Sequence, residues 1–154
     1  MSDDADELKT KGLDALLKAL KNELPRVRVG ILGKGNAREG GGPSNAFIGA
    51  MHEFGTTVLP VRSFLRVPIT EHLEKEMKAA GAFTKETAVA VIKAGTMVPW
   101  LKKIGVLAEG IVQKAFASSG FGAWPPSDMT RKKVHMTLIE SQQLRNSITS
   151  DVKG

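Results

Sequence analysis

Arg26-Val27-Arg28-Val29-Gly30-Ile31-Leu32 alternates without interruption, with Val27, Val29 and Ile31 on one face and Arg26 and Arg28 on the other. A period of two puts successive side chains on opposite sides of an extended chain, so this stretch predicts a half-buried strand. Before it, Leu13, Leu16, Leu17, Leu20 and Leu24 recur at helical spacing until Pro25, which predicts a first helix with one apolar stripe. After it, residues 33–44 hold five glycines and a proline. Such a composition disfavours a packed element and predicts a mobile surface loop.

Farther along, Ser44 or Asn45 is placed to cap a short helix carrying Phe47, Ile48 and Met51, with Gly55 as its stop. Residues 69–80 read as helical up to Gly81. Thr84 then caps a long helical region, with Glu86 in its first turn, and Pro99 must kink or restart that region. Leu101, Ile104, Ala108, Ile111 and Ala115 alternate by three and four, the stripe expected where one helix lies in another's groove. Fully helical, residues 84–119 would span on the order of 50 Å, which implies packing on a neighbouring subunit or structure. Ile148 and Val152 suggest a closing strand. The expected fold is α+β: a single domain over residues 1–154, with a small antiparallel or mixed sheet packed with an N-terminal helix and a long kinked helix.

The composition is that of an ordinary globular chain, 42% apolar and 25% charged over 154 residues. With no cysteine, disulfides and thiolate metal sites are excluded. No run approaches the roughly 20 apolar residues that span a bilayer, and the acidic start Ser2-Asp3-Asp4 is unlike a signal peptide, so a cytoplasmic site of synthesis and no membrane partner are expected. The net charge of +6 is unevenly placed. Residues 1–24 carry six acidic and four basic groups, whereas residues 25–68 carry six basic groups against two glutamates. That asymmetry suits nucleic acid or an acidic protein partner, although solubility alone is the commoner cause.

Catalytic patterns are weak. His52-Glu53 begins like a zinc-protease motif, but Thr56 stands where the second histidine is required. Gly33-Lys34-Gly35 lacks the spacing and the hydroxyl of a phosphate loop, and no Gly-x-Ser-x-Gly elbow surrounds a serine. The scattered glutamates read mostly as solvated helix faces. No enzyme, cofactor or metal is expected. Arg62 and Arg66 flank Phe64 and Leu65 and suit either bidentate anion binding or a local salt bridge. Trp124, ahead of Pro125-Pro126, suits either an interface anchor or the core.

Three patterns remain: His52-Glu53-Phe54-Gly55-Thr56-Thr57 with Pro60-Val61-Arg62-Ser63-Phe64-Leu65-Arg66; Trp124-Pro125-Pro126-Ser127 running on to Thr130-Arg131-Lys132-Lys133; and Leu138 to Ile148, containing Leu144-Arg145-Asn146-Ser147-Ile148. In this order they resemble the virion morphogenesis family of tailed phages, the neck and tail-completion proteins. Ser63 stands where that family usually has proline. Glu140, Ser141 and Gln142 stand in place of its Asp-Thr-Gly, and loss of the glycine at Gln142 predicts a turn rebuilt without a positive backbone angle. The resemblance covers residues 45–152.

It implies a structural virion subunit, assembled in the host cytoplasm, that forms a ring of six copies at the head-proximal end of the tail and joins head to tail as a tail terminator or completion protein. The implied partners are further copies of the chain, the tail tube protein and the head-tail connector or stopper, with DNA passing through the lumen without sequence-specific binding. Tight phosphate binding would hinder ejection, so the positive charge is expected to serve protein docking. Interface or interface-supporting roles are expected for Arg62, Phe64, Arg66, Trp124, Leu144 and Arg145, and ordering on assembly for the loop at 33–44. The alternative is a basic nucleic-acid-binding module, supported by the pI near 9.7 and the arginine-bearing strand.

Overall fold

The computed structural model describes residues 10–14, 17, 25–37, 42–126 and 142–153. The alternating segment is strand β1 (Arg26–Ile31), and it pairs antiparallel with β2 (Ile148–Lys153), Arg26 opposite Lys153 and Ile31 opposite Ile148. Among the described residues these two strands are the whole sheet. Val27, Val29 and Ile31 are half-buried while Arg26 and Arg28 are exposed, as the period of two requires. On the outer face Arg28 lies opposite Asp151, and its guanidinium donates to both carboxylate oxygens, with Nε 2.8 Å from Oδ1.

Besides a helical stretch at residues 10–14, five helices accompany the sheet among the described residues: α1 (Asn45–Phe54), α2 (Arg66–Ala79), α3 (Lys85–Ala94), α4 (Val98–Ala117) and the single turn α5 (Gln143–Asn146). The fold is therefore α+β. Helix α4 is its spine, because both strands and α2 pack on it. The stripe Leu101, Ile104, Ala108, Ile111 and Ala115 is buried throughout. Gly105 allows the sheet to approach closely, since a Cβ there would lie 2.5 Å from Ser150 Oγ. Val112 and Phe116 close the core against Phe64, Leu144 and Ile148.

The caps follow the expected chemistry. Ser44 Oγ accepts from Phe47 N at the start of α1, and Thr84 Oγ1 accepts from Thr87 N at the start of α3, where Glu86 complements the helix dipole. The long helical region does not run as one kinked rod. Gly95, with φ of 62°, ends α3, and Pro99 restarts the chain within the first turn of α4, where its missing N–H has no intrahelical partner to lose. The 20 residues of α4 span about 30 Å.

The glycine-rich segment begins with a 3-10 turn, Gly33–Asn36, and is tied down there: Asn36 Oδ1 accepts from Ala46 N at 2.8 Å, and Asn45 Nδ2 donates to Ala37 O at 3.2 Å. Residues 38–41 lie outside the described residues. Residues 10–14 are helical, with Leu13 and Leu17 exposed. The other members of that leucine stripe, Leu16, Leu20 and Leu24, fall outside the description, as do Ser127, Thr130-Arg131-Lys132-Lys133, Leu138, Glu140 and Ser141.

Gln142 overturns one expectation. It keeps the left-handed conformation, φ 55° and ψ −4°, that a glycine would have taken. The residues after it fix this geometry: Gln142 O accepts from Asn146 N at 2.9 Å, and the turn delivers Leu144 into the core just before β2 begins. A Cβ in this region costs roughly 1–2 kcal/mol. Gln142→Gly is therefore expected to stabilise the protein by about 0.5–1 kcal/mol, since glycine's greater unfolded-state entropy offsets part of the relieved strain. Thermal unfolding should show a higher Tm, and a lower one would contradict the assignment.

Three carboxylates at the surface, Glu74 exposed and Asp151 and Glu76 partly so, are held below their usual range by hydrogen-bonded cations: Asp151 by Arg28, Glu74 by Lys78 and Glu76 by Lys114. A carboxylate whose pKa is depressed in the folded state contributes stability that is present above its unfolded value and is lost as pH falls through the folded one. Stability is accordingly expected to decline below about pH 4, with a shallower acid limb in Asp151→Asn and in high salt, as followed by urea midpoints across pH.

Candidate functional site

The site is built where α1 hands the chain to α2. Gly55, with φ of 73°, ends α1, and Thr56 folds the next residues back: its Oγ1 accepts from Val58 N and Leu59 N, and its own N–H donates to Leu59 O. Arg62 N then donates to His52 O at 2.7 Å, which returns the chain alongside the end of α1.

Helix α2 begins after Leu65, which offers no side-chain cap. A helix start leaves four N–H groups without intrahelical partners, and burial makes them costly. Glu53, reaching across from α1, accepts the first of them. Its Oε2 accepts from Phe64 N and Leu65 N at 3.0 Å each, and its Oε1 accepts from Arg66 N at 3.1 Å and from Ser63 Oγ at 2.6 Å. Ser63 Oγ in turn accepts from Val67 N at 3.0 Å. Glu53 is 5% exposed. Both of its oxygens are engaged, and the carboxylate sits at the positive end of the α2 dipole, so Glu53 ties the end of α1 to the start of α2.

Of the residues singled out in the sequence, four lie inside this unit. Phe64 is buried on Phe116, ring centroids 5.1 Å apart. Trp124 is half-buried, meets Phe116 edge-on at 5.9 Å and donates from Nε1 to Ser63 O. Leu144 is buried in the same cluster. Arg62 is 6% exposed and donates from Nε and Nη2 to the carbonyls of Pro125 and Pro126, which ties the segment after Trp124 to the turn; burial pulls its guanidinium below its ordinary pKa. Arg66 stands apart: it is largely exposed, with Nε 3.8 Å from Glu53 Oε1. Arg145 is half-buried, its Nε donating to Gln113 Oε1 while its carbonyl accepts from Gln113 Nε2.

Sequence reasoning missed Glu53, placing the glutamates on solvated faces. One signal was available. From residue 42 to residue 61 the sequence holds no formal charge except Glu53, and an isolated carboxylate in such a stretch calls for internal donors. The same stretch presents Phe47, Phe54, Val58 and Val61 to solvent, Phe54 at 68% and Val58 at 83% exposure. Among the described residues no group of three His, Cys, Asp or Glu side chains is placed to hold a metal ion, and no helix is long and apolar enough to cross a membrane.

Comparison with known families, curated proteins and solved structures finds no match to this chain. Glu53→Gln is expected to destabilise the protein by roughly 2–4 kcal/mol, because the new amide NH₂ faces donors and the charge-assisted bonds are lost. Arg66→Ala should stay within about 1 kcal/mol, as for other exposed ion pairs. Urea unfolding of the two variants checks the contrast, and equal losses would contradict the role given to Glu53.

Proposed function

We propose that this chain is a structural subunit of a tailed-phage virion, acting in a ring at the head-proximal end of the tail and joining head to tail. The observation that supports this reading best is convergence. Residues from all three patterns on which the resemblance rests meet around Phe64: Glu53, Arg62 and Ser63 from the first, Trp124 from the second, Leu144 and Ile148 from the third. Segments separated by about half the chain thus build one scaffold, and that scaffold displays an uncharged apolar surface on α1 and its following turn. Exposed apolar surface rich in aromatics and poor in charge is characteristic of protein interfaces.

The nucleic-acid reading finds less support. Of the arginines that make the centre of the sequence basic, Arg28 is spent on Asp151 and Arg62 on backbone carbonyls. Phosphate binding draws on cations free to displace counterions, and these two are already committed.

Electron microscopy of lysates from a phage lacking this gene, with complementation as control, tests the proposal. Full heads beside separate tails are expected, and over-long tails would specify the terminator role. Normally joined, infectious particles would overturn it, and a salt-sensitive shift of duplex DNA at low protein concentration would put the nucleic-acid reading in its place.

A further inference from the structure

The guanidinium of Arg66 takes little part in the Glu53 network, and it stands at the edge of a concavity. There α1, the end of β1 and the start of α2 enclose about 280 Å³, with walls that include Ile31, Gly49, Ala50, Phe54, Phe64 and Leu65, and with Glu53 and Arg66 as the charged residues of the lining. Gly49 lets the walls close, since a Cβ there would lie 3.0 Å from Ile31 Cδ1 and 3.2 Å from Phe64 Cζ. The volume falls just below the roughly 300–1,000 Å³ of small-molecule pockets, which suits a side chain offered by a protein partner.

The two charged groups differ in what they can still bind. Glu53 accepts from Ser63 Oγ and from three amides, so its oxygens are taken. The Arg66 side chain is 64% exposed, and its Nε lies 3.8 Å from Glu53 Oε1, an ion-pair distance beyond hydrogen-bonding range. Its N–H fork therefore retains the capacity to grip another carboxylate in a bidentate way. The complement of this site is an apolar side chain that fills the concavity, with a carboxylate beside it that meets Arg66.

The sequence ahead of the described residues holds such a segment, Asp3-Asp4-Ala5-Asp6-Glu7-Leu8, and no other stretch brings four carboxylates so close together. Its place in the chain decides whose concavity it can reach. Gly12 lies against α3, an added Cβ being 3.7 Å from Ile92, and Ile92 lines one groove with Trp100 at the start of α4. Phe64 lies at the far end of that helix, on Phe116. From Trp100 to Phe116 the helix rises about 24 Å, whereas the four residues from Gly12 back to Leu8 reach at most about 14 Å when extended. We infer that the acidic stretch of one copy docks on the next, with Leu8 in the concavity and Glu7 on Arg66. Two unlike surfaces that fit each other give head-to-tail contacts, which close into a ring when the rotation allows. The inference rests on the proposed role as a ring subunit and supplies one of its subunit contacts. It also gives the acidic start and the basic centre of the sequence a common use, since charge complementarity fixes which surfaces meet.

The absence of cysteine makes the test direct. Ala5→Cys marks the acidic stretch, and Ala46→Cys, an exposed alanine in the lining, marks the concavity. The two full-length single variants are mixed at up to millimolar concentration, treated with a short bis-maleimide and resolved on a denaturing gel. The expected result is a mixed adduct linking position 5 to position 46, with a ladder of multimers from the double variant. Arg66→Ala, which leaves the fold intact, should cut the mixed adduct by roughly tenfold, as for the loss of one close charge pair at an interface. Leu8→Ala should lower it as well. A yield indifferent to both substitutions would overturn the inference. So would a double variant cross-linked only within one chain, a predominance of 5–5 or 46–46 adducts, or no adduct at any concentration. The lysate phenotype does not depend on which surfaces pair, so the head-tail reading and this contact can fail separately.

Discussion

A buried carboxylate at the start of a helix it does not belong to is the constraint on which the rest of this structure depends. Removing Glu53 from water costs several kcal/mol, recovered only if its oxygens meet donors in good geometry. The donors are the hydroxyl of Ser63 and three consecutive amides, Phe64, Leu65 and Arg66, which would otherwise be orphans at the head of α2. Each side thus resolves the other's deficit. An ordinary cap from Ser or Asp at the helix boundary would satisfy α2 alone, whereas a cap delivered from α1 also fixes how the two helices meet.

That arrangement sets the course of the chain between them. The turn at Gly55, the Thr56 hydrogen bonds and the Arg62 N–H to His52 O bond return the backbone by the distance Glu53 needs to reach the α2 amides. Phe64 is thereby aimed at Phe116 on the spine helix, and the carbonyl of Ser63 is left to accept from Trp124. The core that forms is assembled from residues far apart in sequence, so the unit is held by tertiary contacts and not by local propensity.

Local signals were legible and long-range ones were not. The period-two pattern of residues 26–32, the three-and-four stripe on α4, and the caps at Ser44 and Thr84 each depend on a few neighbouring residues, and the structure follows them. The partner of β1 was legible only as a possible closing strand, and the pairing of Arg28 with Asp151 depends on a register that no local pattern encodes. Pro99 is compatible with a kink or a restart, and Gly95 decides for the restart by leaving α3 in a left-handed turn. At Gln142 the inference from residue type failed because tertiary demand, the delivery of Leu144 to the core, outweighs an intrinsic backbone preference. Arg62 offered a guanidinium to an imagined anion; buried, it serves the carbonyls of Pro125 and Pro126.

The same division separates what a motif can transmit from what it cannot. Glu53, Arg62, Phe64, Trp124 and Leu144 carry the sequence resemblance, and they are residues that the interior consumes. Side chains used this way specify a scaffold, because changing one breaks a packed or hydrogen-bonded arrangement whatever the scaffold is for. Side chains that meet a partner are under a different constraint: they must be exposed, and their chemistry answers to the partner's surface. Under the proposed function those would be drawn from Phe47, Phe54, Val58 and Val61, exposed residues that lie within or beside the first pattern yet take no part in the Glu53 network. A likeness built on the buried set thus points to how the chain folds more firmly than to what it touches, and what the chain touches answers to the exposed surface that the buried set holds in place.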